Sequence, residues 1–522
     1  MHMSQRLNWL ALGGALVPTL LLIALTLQAT DGIWEYALDD VYIHLAMSEG
    51  VARGEYGVNV GEPASASSSI LFSYILAPFA GTSFHVWWPL VVGLLSALWA
   101  GWLWGGILRE TAPEAPAWFT SLMAIGIPVF LHFPAMALIG MEHMLHIAVT
   151  LAALLGLLRF ARTGHIGALL VIGLALNPLL RFEGAAVMML GLCVLAFSGR
   201  FLAALGIFVA AAIPLAAHFA YMASLGLDML PNSVNAKSTV TGGGTFADSD
   251  QLSLIGALME SWLFALNTLS GRTLWGAVAA GAVLLIIAHR QLPRVYRLIG
   301  WMAVLTMLAH VLFGLTNWFF RYELYAWAFA VGAGAVLMSR TALLARPVYL
   351  GLYLLGVAYG GQHYVLSGFI GMPSGSAAVA AQQRQMARFV DDFWQAPVAV
   401  NDLGHVAFNN PHYVLDLWGL ANAKALRARI KGDDPLWADK LADNYGVGAA
   451  MIYDHWLGDS IGPDWVKVAE LTVTIPQATL GGTAVSLYAT GPGAVAPLTD
   501  ALNAFGPTLP TSTELKFLEV SQ

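Results

Sequence analysis

The stretch LNWLALGGALVPTLLLIALTL at residues 7–27, followed by ALDDVYIH at residues 37–44, decides the class of fold. The first run contains no charged residue and has the length, about 20 residues, that a helix needs to cross a bilayer. Because no small-residue cleavage site follows it, we interpret it as a retained span rather than a signal peptide. The second run sets two carboxylates, Asp39 and Asp40, just beyond that span, where charge is costly to keep and therefore points to function.

The composition extends this interpretation to the whole chain. Of its 522 residues, 58% are hydrophobic and 11% are charged, whereas soluble proteins average about 25% charged, so a polytopic membrane protein is predicted. The net charge of −7 and the lack of a basic tract exclude nucleic acid as a partner. The single cysteine, Cys193, excludes an intrachain disulfide and a thiolate metal site.

Apolar runs of roughly 16 to 23 residues recur up to about Tyr364 and predict about eleven transmembrane helices. Of the 31 acidic residues, 15 lie in residues 365–522, which indicates a soluble domain there. Residues 1–364 are therefore predicted to form the membrane domain and residues 365–522 a C-terminal α/β domain, with strands near 398–400, 412–415, 449–453 and 485–488 and a helix near 436–444. The spans are placed near 7–29, 86–108, 117–134, 141–160, 165–180, 184–198, 200–222, 272–289, 297–315, 319–339 and 345–363.

The basic residues predict the orientation, because cytoplasmic loops are enriched in them. Ten arginines fall on one side of this arrangement and five basic residues on the other. The N-terminus is therefore expected in the cytoplasm, and the C-terminal domain on the periplasmic side of a bacterial inner membrane. The apolar segment 70–80 is too short to cross and is interpreted as an interfacial or re-entrant helix on the outer face. The outer loops 30–85 and 223–271 carry polar residues, so we expect the chemistry there.

The acidic pair is the first candidate site. Successive side chains on a helix diverge by about 100°, so only one of Asp39 and Asp40 can face a reacting group, while the other orients it, caps the following helix or binds a cation. The alternative is a solvated loop in which Asp40 only caps the helix. His44 follows within about one turn, and a divalent cation could be held by Asp39, Asp40 and His44.

Further polar groups lie at the outer span ends, and each has a functional and a structural interpretation. An acid at membrane depth suggests function, but Glu142 could simply be solvated among the headgroups. Arg181 could hold a phosphate in bidentate geometry or only pair with Glu183. Lys237 and Arg321 could bind an anionic headgroup or serve as interfacial anchors. The substrate-binding candidates are His44, Glu142, His143, Arg181, Glu183, Asn232, Lys237, Arg321 and Tyr322.

The order of the motifs resembles the GT-C superfamily of polyprenyl-phosphate-dependent glycosyltransferases, and most nearly its bacterial arabinofuranosyltransferase and mannosyltransferase branch. Two departures are RFEG at 181–184, where Arg-Pro-Glu-Gly is typical, and the serine run 67–69, which replaces an aromatic residue and a threonine. The order of the motifs makes the match specific, since each motif is short. They are DDVYI at 39–43, GVNVGEP at 57–63, GME at 140–142, RFEG at 181–184, LPNSVNAK at 230–237, NDLG at 401–404 and VLDLWGL at 414–420.

This resemblance implies an inverting membrane glycosyltransferase. It would move a sugar, with arabinofuranose and mannose as the nearest candidates, from a polyprenyl-phosphate donor to a glycan or protein acceptor outside the cytoplasm. Asp39 is the first choice and Asp40 the second for the base that deprotonates the acceptor hydroxyl. Basic groups would stabilise the departing phosphate, and no cofactor is required. The alternative is a transporter or flippase of lipid-linked sugars, whose charges should line a path through the bilayer midplane.

Overall fold

Eleven apolar helices form the first part of the chain in the computed structural model, which describes residues 3–112, 115–237, 259, 262–263, 265–316, 318–343, 346–432 and 434–518. Seven of these helices are long and apolar enough to cross a membrane, and four are shorter. The predicted multi-pass helical architecture is confirmed. The eleven helices are Met3–Ala29, Trp88–Leu108, Ala117–Phe130, His143–Thr163, Ala168–Leu180, Gly184–Phe197, Phe201–Ser224, Leu269–Ala288, Arg294–Phe313, Leu324–Ser339 and Pro347–Leu366.

Short helices cover the end of this bundle that faces the C-terminal domain. Asp40–Ala52 begins at the acidic pair and is almost entirely buried. The segment expected to be interfacial, 70–80, contains the helix Phe72–Leu76 and a single 3₁₀ turn, Ala77–Phe79. At about 1.5 Å per residue this segment is far too short to cross a bilayer. Further short helices on the chain are Phe133–Leu138 and Asn232–Lys237.

The last membrane helix continues into the C-terminal domain, with a single turn residue, Gln382, between its helical parts. Residues Val348–Trp394 form one helical segment of 47 residues, in which Ser367–Gly371 and Phe389–Trp394 have π-helical geometry. The domain boundary predicted at residue 364 falls inside this segment. A shared helix of this kind couples the orientation of the C-terminal domain to that of the membrane bundle.

The C-terminal domain is a six-stranded mixed sheet with helices, in agreement with the predicted α/β class. The strands are β1 (Val398–Val400), β2 (Val414–Asp416), β3 (Ala449–Ile452), β4 (Val466–Val473), β5 (Ala484–Ala489) and β6 (Thr513–Phe517), in the spatial order β2-β1-β3-β5-β4-β6. Strands β1, β2 and β3 pair in parallel and the other pairs are antiparallel. The helices are Gly404–Ala407, Ala423–Lys431, Trp437–Asn444, Asp454–Leu457 and Pro492–Phe505.

The segment GVNVGEP at 57–63 joins the bundle to this sheet. The Asn59 amide donates to the Val414 carbonyl and accepts from the Val414 N–H, both at 3.0 Å, so it extends the edge strand β2 like a neighbouring strand. The Glu62 carboxylate accepts from Tyr413 at 2.7 Å and from Asn422 and Tyr445 at 3.1 Å. This motif therefore fixes the C-terminal domain over the first loop of the membrane part.

Replacing Asn59 tests this joint. Asn59→Ala leaves the Val414 N–H and carbonyl without partners, at a cost of about 1–3 kcal/mol for each buried group. We expect faster hydrogen exchange across 412–416 and a lower melting temperature. The matched control is Asn503→Ala on the exposed face of the helix Pro492–Phe505, which should change neither. Unchanged exchange in Asn59→Ala would show that other contacts hold the two parts together.

The predicted orientation can be read with an impermeant thiol label. In a Cys193→Ser background, Thr511→Cys should react from the periplasmic side and Gln291→Cys only after the membrane is opened. Both positions are exposed, Thr511 in the C-terminal domain and Gln291 in a predicted cytoplasmic loop between two membrane helices. Labelling of both positions in intact cells would contradict the assignment that rests on the arginine distribution.

Candidate functional site

Asp39 connects the membrane bundle to the C-terminal domain. Its Oδ2 accepts the Gly404 N–H at 2.7 Å and its Oδ1 accepts the His405 N–H at 2.8 Å. A side chain at Gly404 would not fit, since its Cβ would lie 2.7 Å from Oδ2. Burial, with the charge of Asp402 as a smaller contribution, raises the pKa of Asp39 to about 7, although the two N–H groups and His405 oppose this shift. Both carboxylate oxygens are thus engaged in holding the neighbouring domain.

Asp402 brings a third carboxylate to the acidic pair from the C-terminal domain. Its Oδ2 accepts from the Gln383 amide at 3.0 Å and from the Tyr453 hydroxyl at 2.9 Å. Burial raises its pKa, and the charge of Asp40 adds to that rise. The candidate site is therefore shared between the two parts of the chain.

Asp40 is the member of the pair that faces a cation and partly reaches solvent. It begins the helix Asp40–Ala52, its side chain is 19% exposed, and its Oδ1 lies 3.2 Å from Arg321 Nη2. The helix start fixes its direction away from that of Asp39, as the angular step between successive residues requires. Asp39 is likewise only half-buried, but both of its oxygens accept backbone N–H groups, so Asp40 is the better placed of the two carboxylates to meet a reacting group.

Arg321 is almost fully buried, at 2% exposure, beside Asp40. Its Nη2 also donates to the Tyr322 hydroxyl at 3.1 Å, while Nε and Nη1 have no hydrogen-bond partner among the described residues. Buried guanidinium N–H groups without partners are costly, because they lose their water and gain nothing in return. A bound anion that accepts from Nε and Nη1 would remove that cost.

A second buried arginine lies in the same cluster. Arg181 Nη1 donates to Glu142 Oε1 at 2.6 Å and Nη2 donates to Glu183 Oε1 at 2.8 Å, while His143 Nε2 lies 3.1 Å from Nη1. The Arg181 guanidinium carbon lies 5.2 Å from the centroid of the Tyr322 ring, and that of Arg321 lies 5.0 Å from it. One aromatic ring thus stabilises two arginines that would otherwise repel each other.

The serine run that departs from the family pattern supplies hydrogen bonds to this cluster. The Ser68 hydroxyl donates to Glu142 Oε1 at 3.2 Å, and the Ser67 hydroxyl lies 3.0 Å from His44 Nδ1. The other ring nitrogen of His44 lies 3.4 Å from Glu142 Oε2. His44 therefore orients Glu142 and does not face the acidic pair.

Two candidates lie apart from the cluster. The Asn232 amide donates to the Leu420 carbonyl at 3.2 Å, so it holds the C-terminal domain and does not line the arginine pair. Lys237 ends the short helix Asn232–Lys237, and its side chain lies outside the described part of the structure, as do residues 238–258 of the second outer loop.

The residues proposed for a divalent cation do not converge. Both Asp39 oxygens accept backbone N–H groups, Asp40 lies beside Arg321, and His44 uses its two nitrogens toward Ser67 and Glu142. Across the described ranges of the chain, no group of three or more His, Cys, Asp or Glu residues is placed to hold a metal ion. These three side chains do not fit the ligand set expected of them, so no step is assigned to a metal.

An apolar cavity of about 550 Å³ lies between helices of the membrane bundle. Four helices line it: Leu269–Ala288, Arg294–Phe313, Leu324–Ser339 and Pro347–Leu366. Trp327 lines one side of it, in the first turn of the helix that follows Arg321 and Tyr322. Almost all of its wall is aliphatic or aromatic, with Arg272, Thr273 and Thr341 as polar exceptions.

Two buried acids, Glu35 and Glu323, were not among the site residues predicted from the sequence. Glu35 accepts from the Tyr42 hydroxyl and lies 3.5 Å from His405, whose ring stacks on Tyr42 with centroids 4.0 Å apart. Glu323, fully buried directly after Tyr322, accepts from the Tyr364 hydroxyl at 3.2 Å. An acid next to a predicted span end was the available signal for Glu323, but nothing in the sequence pairs Glu35 with a residue 370 positions away.

Solved structures of the Archaeoglobus fulgidus oligosaccharyltransferase are similar to this chain. That enzyme tethered through a disulfide bond to an acceptor peptide with the NVT sequon aligns with a TM-score of 0.50 and 12% identity, over 98% of this chain and 76% of that chain. Its complex with an inhibitory peptide and a dolichol-phosphate aligns with a TM-score of 0.43 and 10% identity, over 99% and 77%.

Sequence comparisons add little to this. The model of a domain of unknown function (DUF8728) matches residues 376–488, which span most of the C-terminal sheet. Comparison with curated proteins finds no sequence match. The structural likeness shows a shared fold, so the predicted architecture of membrane helices with a C-terminal α/β domain is confirmed, while membership of the GT-C superfamily and of its arabinofuranosyltransferase and mannosyltransferase branch stays a prediction.

Proposed function

We propose that this protein is a membrane glycosyltransferase that transfers a sugar from a polyprenyl-phosphate donor to an acceptor hydroxyl on the side of the C-terminal domain. The observation that carries the proposal is the buried Arg321, which lies 3.2 Å from the carboxylate of Asp40 and has two guanidinium nitrogens without a hydrogen-bond partner in the part of the chain that the structure describes. A base and an anion-binding cation at this spacing are the two groups that attack on a glycosyl phosphate requires.

Asp40 is the better candidate for the base. Asp39 was the first choice from the sequence, but both of its oxygens are engaged by backbone N–H groups. Asp40 keeps partial access to solvent and lies beside the cation. It would take the proton of the acceptor hydroxyl as that oxygen bonds to the anomeric carbon, and Asp39 would fix its position.

Arg321, with Arg181 behind it, would stabilise the departing phosphate. The anomeric carbon–oxygen bond breaks as the acceptor bonds from the opposite face, so the configuration inverts and the electron pair leaves with the polyprenyl phosphate. Negative charge on that phosphate grows in the transition state, so a cation held in place beforehand acts mainly on the rate. The phosphate leaves as an anion and needs no proton from a second acid.

The apolar cavity would receive the isoprenoid chain of the donor. One of its lining residues, Trp327, lies in the first turn of the helix that follows Arg321. Mostly apolar residues of four membrane helices line the rest of the cavity. A phosphate at Arg321 and a hydrocarbon tail in this cavity would together match an amphiphilic donor. The sugar, for which arabinofuranose and mannose are the expected candidates, and the glycan or protein acceptor remain to be identified by assay.

The position of the charges favours an enzyme over a transporter. Asp40, Arg181 and Arg321 lie at helix ends next to the C-terminal domain, whereas a transporter is expected to carry its charges near the bilayer midplane. The proposal is tested directly by incubating the purified protein with mannosyl and arabinofuranosyl polyprenyl phosphates and measuring the release of polyprenyl phosphate. Consumption of neither donor, combined with transbilayer movement of either, would favour the transporter.

Substitution of each aspartate in turn distinguishes the base from the residue that positions it. Asp40→Asn should lower kcat by at least ~10²-fold, the usual scale for a lost general base, with donor affinity retained. Asp39→Asn should lower kcat less and should speed hydrogen exchange across 402–408, because one of its backbone hydrogen bonds is lost. The measurement is kcat with the donor found active above. The reverse order of kcat losses would return the base to Asp39.

Arg321→Gln tests the phosphate site. We expect a loss of kcat of ~10²-fold or more, as for other donors that stabilise a developing anion, with a smaller loss of donor affinity, because the apolar tail still binds. The matched control is Arg53→Gln, since Arg53 is more than one third exposed and lies 3.7 Å from Glu55, away from the cluster. Equal kinetics in both variants would remove Arg321 from the reaction and leave it as an interfacial anchor.

A further inference from the structure

The helix Ala423–Lys431 concentrates the positive charge of the C-terminal domain. It carries four of the nine basic residues between positions 376 and 518 and no acidic residue. Lys424, Arg427 and Lys431 are exposed and are spaced i, i+3 and i+7, which places them on one face of the helix. The fourth, Arg429, is half-buried and its guanidinium carbon lies 3.9 Å from the centroid of the Trp418 ring, whereas the exposed Lys424 makes a longer contact, 5.5 Å from Nζ to the centroid of the Tyr445 ring.

The opposite face of this helix packs toward the membrane bundle. Leu426 is buried in the same apolar cluster as Met222, near the end of the helix Phe201–Ser224, and Ala236 of the short helix that follows. The Asn422 side chain, which caps the basic helix, donates to Glu62 Oε1 at 3.1 Å. These contacts set the basic helix beside the end of a helix that is long and apolar enough to cross a membrane.

Exposed apolar side chains accompany the cations. Met229 is 66% exposed and Leu230 38% exposed, in the connection that leaves the same span, and Ile430 on the basic helix is 38% exposed. Of the acids nearby, Asp434 is paired with Lys440 at 2.6 Å, and Asp228 lies in the connection next to Met229. Cationic and apolar residues together at a span end are typical of a surface that binds lipid.

We propose that the helix Ala423–Lys431 binds anionic phospholipid headgroups of the leaflet that faces the C-terminal domain. Lys424, Arg427 and Lys431 supply the charge, and Ile430 with Met229 contacts the acyl boundary. This surface is separate from the arginine cluster and does not depend on the proposed reaction. Its effect is to hold the C-terminal domain down on the membrane in addition to the joints made by Asn59 and Asp39.

The test uses the full chain in nanodiscs of phosphatidylcholine alone or mixed equally with phosphatidylglycerol. We expect hydrogen exchange across 423–431 to slow in the anionic discs and to return to the neutral-disc rate in high salt, where screening shortens to a few ångströms. Each cation near an anionic surface contributes about fivefold to such an equilibrium. The triple variant K424Q/R427Q/K431Q should therefore lose the difference between the two discs.

The control is Lys516→Gln, an exposed cation on β6 at the opposite edge of the sheet, which should keep the full difference. The proposal is overturned if the anionic discs do not slow exchange, or if the slowing survives in the triple variant. Equal slowing in neutral discs on addition of inorganic phosphate would also overturn it, since the helix would then bind a soluble anion and not the membrane. Because these readouts need no donor or acceptor, they stand whatever the outcome of the turnover assays.

Discussion

The carboxylate of Asp39, which accepts the N–H groups of Gly404 and His405, is the interaction on which the arrangement of the site depends. It joins residues 365 positions apart at the point where the membrane bundle meets the C-terminal domain. Because the helix Asp40–Ala52 begins at the next residue, the same contact sets the direction in which Asp40 points. The same contact therefore joins the two parts of the chain and fixes the position of the candidate base.

The charges around this point are better explained by chemistry than by stability. Glu142 and Arg181 are buried and paired at 2.6 Å, and replacing such a pair with apolar residues is often neutral or stabilising. Arg321 is buried with two guanidinium nitrogens that no described residue accepts from, an arrangement that costs stability. Burying these groups at the end of a membrane bundle is costly, and the cost is offset when a ligand of opposite charge binds.

Most of the fold could be predicted because the signals for helices and strands lie within short stretches of sequence. Parts of the site could not be predicted because they depend on contacts between residues far apart in the sequence. Runs of apolar residues indicated the eleven helices, and short apolar runs indicated strands such as β1 and β3. Strands β4 and β6 were not predicted, since charged residues interrupt both of them. From the sequence, Asp39 was the first choice for the base and Asp40 the second. The order proposed from the structure is the reverse, because it depends on the N–H groups of Gly404 and His405, which only the tertiary structure brings near. Likewise, the serine run 67–69 was only a departure from the motif pattern in the sequence. In the structure its hydroxyl groups hydrogen-bond to Glu142 and His44.

The backbone that leads to Arg321 supports the same view of the site. Trp318, Phe319 and Phe320 all have positive φ, at 43°, 60° and 52°, a left-handed conformation that costs about 1–2 kcal/mol for each residue with a side chain. Aromatic packing holds it, since the Phe320 ring lies 4.8 Å from that of His363 and 5.7 Å from that of Tyr364. Strain of this kind persists only where the surroundings over-determine it, and it clusters where a side chain must be held in one place. Here the side chain that follows is Arg321, so aromatic packing offsets the backbone strain and keeps a guanidinium in place beside Asp40. In the proposed reaction such a cation, fixed before the substrate binds, would lower the cost of stabilising a charge that appears only as the bond breaks.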